Sequence, residues 1–355
     1  MRDAHPMINL ERGALLCAAV FGALAVLLCF LEPRWVPTAC RLAIFTCLAP
    51  AIGCTTFALI HRMTGGQWTS GLTPFIRAGV AMLPWIWVVA APVLLLVRRS
   101  YDPGVAYDGL AMLAVRAILY GASFFWLSWA LSDGVGTEGD ARDNDRPWAG
   151  PAGFIFLFFM LTLLTDDWLE SLEQGWHSTA FTVVWIAAQA IFGLSLCLLF
   201  GLQCGARPPS EGIAGRPLGL DWGNLLLTSI MFWAYVAFAQ FLIIWAGNMP
   251  VETSWFLRRQ HGVWEAVMPA VALLGFAIPF FMLLSRPLKQ STAGLAWVAS
   301  LLLVSQLAYT AWLVVPVAGA MTLGGGVLTV ALTAGALGLF TSRFARAARI
   351  MGGCP

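Results

Sequence analysis

Charged residues are thinly spread along this chain, and long apolar runs separate them. Runs of about membrane length fall at roughly 13–31, 39–60, 78–97, 107–131, 151–174, 178–202, 222–247, 263–285, 293–315 and 317–341. None alternates in the manner of a strand, and only closed backbone structures survive in lipid, so the pattern predicts an all-α, polytopic membrane fold of about ten helices. No low-complexity linker divides the chain, so residues 1–355 read as a single integral membrane domain. Prolines at 50, 84, 92, 269 and 279 fall inside runs and are expected to kink them. The run at 13–31 has no small-residue cleavage site and more spans follow it, so it reads as the first span rather than a signal peptide.

Composition supports this reading. The chain is 59% hydrophobic and 11% charged, roughly half the usual charge of a soluble domain. A net charge of +2 gives no footing for nucleic acid. Lys and Arg are unevenly placed. The termini and the loops after the second, fourth, sixth and eighth runs hold 13 (Arg2, Arg12, Arg62, Arg77, Arg142, Arg146, Arg207, Arg216, Arg286, Lys289, Arg343, Arg346 and Arg349). The opposite loops hold 6 (Arg34, Arg41, Arg98, Arg99, Arg258 and Arg259), so both termini are expected to be cytoplasmic.

Several chemistries find no support. His5, His61, His177 and His261 lie at the ends of runs, whereas a membrane haem or copper site needs imidazoles inside the spans. Cys40, Cys47 and Cys54 are spaced by seven, but no pair of cysteines forms C-x-x-C, and small apolar packing explains them best. The expectation is no haem and no metal. Glycines 324–326 lack the Lys-Ser or Lys-Thr of a phosphate loop and suit close helix packing.

The exception to the apolar pattern is LTDDWLESLEQGWHS, residues 164–178. It places Asp166, Asp167, Glu170, Glu173 and His177 between two uncharged stretches. From Ala152 to Thr165 a helix rises roughly 21 Å, short of a hydrocarbon core of about 30 Å. The fifth helix is therefore expected to continue through the aspartates and to bury them below the outer surface. On a continuing helix Asp166, Glu170, Glu173 and His177, spaced 4, 3 and 4, share one face. A row of acids held there suits passing protons. Arg116 lies inside the fourth run at a similar depth and needs an acid, with Asp167 or Asp166 the natural partner. A second polar group ends the seventh run: Gln240 within it, Asn248 and Pro250 closing it, and Glu252 in the first turn of a short helix begun by Pro250. Trp255, Phe256, Arg258 and Arg259 suit the membrane–water interface.

The segments DWLESLEQGWHST, RAILYGASFFW and FWAYVAFAQFLIIWAGNMPVETSWFLR resemble the second quinone-binding-type subunit of alternative complex III, the quinol:cytochrome c oxidoreductase. That subunit belongs to the NrfD-like, polysulfide-reductase type of membrane subunits. The resemblance runs in order from GGQW at 65–68 to the seventh run. It implies ten helices with two four-helix bundles and no redox cofactor in this chain, with quinone or quinol a possible ligand. It implies a complex with a sister NrfD-like subunit, an iron–sulfur subunit and haem c subunits in a bacterial inner membrane. Quinol oxidation would fall to the sister subunit, and this chain would offer a proton path. Asp167, Trp168, Ser171, Leu172, Glu173, Trp176, Ser178 and Thr179 match the fifth-helix motif, and Arg116 and Tyr120 the fourth. Gln240, Trp245, Asn248, Pro250 and Glu252 match the seventh. The chain departs from the family at Gly175, where a His is usual, at His177 and at the extra acid Asp166. Two rival readings remain: a proton-coupled secondary transporter, and a structural anchor for outer redox subunits.

Overall fold

The computed structural model describes residues 6–101, 109–132, 148–173, 175–206 and 219–353. Among the residues used above, Arg2, Arg142, Arg146, Arg207, Arg216 and His5 lie outside the described residues. The described residues form helices and no strands. Ten helical segments are long and apolar enough to cross a membrane. Large apolar side chains point away from the packed interior, among them Phe30, Ile118, Phe281 and Trp297 at 70–82% exposure. A surface of that kind is tenable in lipid and not in water. The protein is an all-α, multi-pass membrane protein.

Four helices close one ring: α2 (Val36–Thr64), α3 (Thr73–Tyr101), α4 (Gly109–Ala130) and α5 (Ala149–Trp168), each packed on the next and α5 back on α2. A second ring contains α6 (Thr179–Gln203), α7 (Gly219–Gly247), the eighth span and α12 (Thr292–Val314). Short helices α8 (Pro250–Arg258) and α11 (Arg286–Gln290) flank the eighth span. The chain ends in α13 (Leu323–Ile350), which packs on α2 and α3, with α1 (Pro6–Leu31) lying along it.

The rings meet where α2 crosses α6. A Cβ on Gly53 would lie 2.0 Å from the Gln189 carbonyl oxygen, and one on Gly193 would lie 2.7 Å from the Cys54 nitrogen. Two backbones touch at this point, which only glycine permits. Cys54 Sγ lies 3.5 Å from Cys197 Sγ beside the crossing, so this cysteine packs as a small buried group. Gly325 likewise receives the Trp35 ring, the close packing its run of glycines suggests.

The eighth run is interrupted next to Pro279, one of the prolines expected to kink it: α9 (Trp264–Ala272) and α10 (Ile278–Leu284) flank a π-turn at Leu273–Ala277. Pro279 has no N–H for the carbonyl four residues back, and the wider turn absorbs the mismatch. The fifth helix ends at Trp168 and does not run on to 174.

Candidate functional site

The end of α5 sets the geometry. Leu169 leaves the helix at φ −112°, Glu170–Leu172 make a single 3₁₀ turn, and Glu173 is extended. Gly175 then takes φ +75°, a left-handed conformation that costs glycine little. Ser178 is extended and precedes α6. The chain thus folds back at the rim, and the expected single face of Asp166, Glu170, Glu173 and His177 does not exist. The turn nevertheless returns His177 to Asp166, with Nδ1 and Oδ1 3.0 Å apart. Glu173 is carried away from this group. Its Oε2 lies 2.7 Å from Arg258 Nε, close as an ion pair but without hydrogen-bond alignment.

Successive helical residues point about 100° apart, so Asp166 and Asp167 part company. Asp166 faces the rim. Asp167 faces α4 and is 4% exposed. Arg116 Nη1 donates to its Oδ1 at 2.7 Å, and the Tyr120 hydroxyl donates to its Oδ2 at 2.5 Å. Arg116 and Tyr120 are four apart on one helix face, which brings both donors to one carboxylate. The partner expected for Arg116 from depth alone is therefore found. Ser171 adds a hydrogen bond from its Oγ to the Asp167 carbonyl oxygen at 2.6 Å.

Glu170 is also 4% exposed. Its Oε2 accepts the Ser178 backbone N–H at 2.8 Å, so it caps the start of α6 where Ser178's own side chain does not. A carboxylate is well placed at a helix N-terminus. Ser178 Oγ in turn accepts from Gln240 Nε2 at 2.9 Å. Inward of the rim, the hydroxyls of Thr165 and Thr182 lie 2.8 Å apart, a contact sequence reading missed because neither position stands out from its apolar run.

The elbow after α7 forms as its sequence suggests. Asn248 has φ +46° and its N–H caps the Ile244 carbonyl, and Pro250 opens α8. Trp255 stacks on Trp176 at 4.2 Å between ring centroids, and Trp176 Nε1 donates to the Glu252 carbonyl oxygen at 3.1 Å. Gln240 reaches the rim. The side chains of Asn248 and Glu252 make no hydrogen bond to it among the described residues, so the second polar cluster is only partly assembled.

Arg259 corrects the interfacial expectation. It is fully buried and lies 3.5 Å over the Trp255 ring, donating to the carbonyls of Trp255, Leu313 and Trp312 at 2.8, 2.8 and 3.2 Å. Burial pushes its guanidinium down to about 9, which still leaves it charged at neutral pH. Two adjacent arginines give no sequence signal that one is sealed and the other, Arg258, is half-exposed. Beside Arg259 a cavity of about 850 Å³ opens, walled by Trp233, Phe241, Phe256, Trp264 and Trp312.

One donor atom from each of Asp166, Glu170 and His177 lies within 4.8 Å of the other two, the geometry of a three-ligand cation site. The histidine argument against metals concerned span interiors, and His177 lies in the loop between α5 and α6. No family model matches the sequence, and no curated protein matches it.

Proposed function

We propose that this chain is a membrane subunit of a respiratory quinol:electron-acceptor oxidoreductase, of the alternative complex III type, and that it provides a proton path. In this reading it carries no redox cofactor of its own. Its partners are a sister NrfD-like subunit, an iron–sulfur subunit and haem c subunits in a bacterial inner membrane. Both termini are cytoplasmic, so the 166–178 rim faces outward.

The observation that carries the reading is the rim's division of labour. Asp167 has both oxygens engaged by Arg116 and Tyr120, and a proton there would cancel the charge that pairs with Arg116. It anchors the site electrostatically. Glu170 is buried like Asp167, yet among the described residues it has no salt-bridge partner and accepts one hydrogen bond, from a backbone N–H. It stands beside Asp166 and His177, which reach water. A proton arriving on or leaving through His177 or Asp166 passes to a buried acid with a free lone pair. The Thr165–Thr182 hydroxyl pair, on the same two helices, extends the polar line inward. The cavity beside Arg259 has the size of ordinary ligand pockets, about 300–1,000 Å³, and aromatic walls suited to a quinone ring.

Gentle solubilisation of the native membrane followed by mass spectrometry tests the assignment. Co-migration with iron–sulfur and haem c subunits is expected. A chain that migrates alone and moves a solute when reconstituted by itself would establish the transporter instead.

A further inference from the structure

Asp166, Glu170 and His177 come from three different pieces of chain: the last turn of α5, the 3₁₀ turn after it and the extended segment before α6. An exposed Asp–His pair alone would be an ordinary surface contact of little consequence. The third member changes this. Glu170 is buried and held in place through Oε2 by the Ser178 N–H, while Oε1 accepts no hydrogen bond among the described residues. One carboxylate oxygen of this buried residue therefore lies within 4.8 Å of an Asp166 oxygen and a His177 ring nitrogen.

We propose that Asp166, Glu170 and His177 form an inhibitory site for a first-row divalent cation of the Zn²⁺ class, taken from the aqueous phase. Two carboxylate oxygens and one imidazole nitrogen suit Zn²⁺ with water as a further ligand. Ca²⁺ and Mg²⁺ favour six or more oxygens and are poorly served. Access is from one side: the side chains of His177 and Asp166 are 57% and 28% exposed, while Glu170 closes the inner face. Two carboxylates offset the ion's charge. The Ser178 backbone N–H holds Glu170 from behind, as outer partners do in metal sites, and Gln240 in turn holds the Ser178 hydroxyl. A bound ion would hold all three side chains at once, so none could relay a proton. That inhibitory consequence rests on the proton-path reading, whereas the binding does not.

The test uses the purified full-length chain, with Co²⁺ as a spectroscopic probe and Zn²⁺ in calorimetric titration. One ion per chain is expected, with a visible Co²⁺ ligand-field band. His177→Ala removes an exposed side chain, so the fold is not at risk. It should weaken Zn²⁺ binding by more than the roughly 10–100-fold that loss of a supporting residue costs, and Gln240→Ala should weaken it by less than His177→Ala does. Unchanged affinity in His177→Ala, or no binding in any form, would overturn the site and leave the proton reading standing. The second arm adds Zn²⁺ to the native complex and compares proton release per electron with and without the ion, separately for wild type and His177→Ala. Inhibition confined to wild type is expected. Binding without inhibition would keep the site and overturn its inhibitory role together with the proton path through it.

Discussion

The crossing of α2 and α6 and the rim at 166–178 hold helices together by opposite means. At the crossing, Gly53 and Gly193 bring backbones into contact with no charge involved, and specificity is a matter of shape. At the rim, Asp167, Arg116 and Tyr120 make short polar contacts, and a reversal of the chain turns a row of acids into a cluster. The first is intolerant of volume. The second tolerates volume but not the loss of a partner. A membrane protein gains little from burying apolar surface against apolar lipid, so close packing and paired polar groups must supply what the hydrophobic effect supplies in water.

The contrast can be broken first at the crossing. Gly193→Leu should be the most damaging change, because the obstructing atoms are backbone and cannot move aside as a side chain would. Overpacking costs about 1–3 kcal/mol in ordinary cores and more where the backbone must shift. Loss of a monodisperse peak in size-exclusion chromatography is expected, and a normally eluting variant would refute the backbone contact. Next comes Arg116→Leu, which leaves Asp167 buried without its cation and should cost about 3–5 kcal/mol in chemical unfolding. Adding Asp167→Asn should restore part of that loss, whereas strictly additive damage would show that the two do not act as a pair. A smaller loss, about 1 kcal/mol, is expected for Thr165→Val, which orphans the Thr182 hydroxyl. Thr182→Val should cost less, because the Thr165 hydroxyl keeps the Thr162 carbonyl as its acceptor, and thermal melts of the two single variants check that order. The smallest effect falls on the exposed Asp166–His177 pair: His177→Ala should change stability by less than about 1 kcal/mol. A large loss there would make the pair structural and weaken its reading as a proton entry.

The length of the apolar runs revealed the spans because lipid demands it of every one of them. It also placed Arg116 against an acid, since both depths follow from helical rise. The Pro250 elbow was legible from proline's fixed geometry. The fold-back at Gly175 was not. Spacings of 4, 3 and 4 are what a helix would show, and nothing local in ESLEQGW overrides that until Gly175 adopts its left-handed conformation and Glu170 caps the next helix. The pairing of Glu173 with Arg258 depends on α8 docking against the rim, between segments some 80 residues apart, and the burial of Arg259 depends on its meeting the end of α12, where it reaches the Trp312 and Leu313 carbonyls. Charged residues within a span announce themselves, whereas those in loops acquire neighbours only from the fold. Glu170 illustrates both: its acid was visible in the sequence, and its burial and cap were not.

The claim that protons pass through the rim is tested most directly by proton release per electron in reconstituted complex during quinol oxidation, measured alongside the electron-transfer rate. Glu170→Gln and Asp166→Asn/Glu170→Gln retain side-chain size, and both complexes should assemble. The account predicts a lowered proton yield per electron in both, with the double variant at least as low as the single. An unchanged yield in the assembled double variant would contradict it and leave the chain an anchor for its partners.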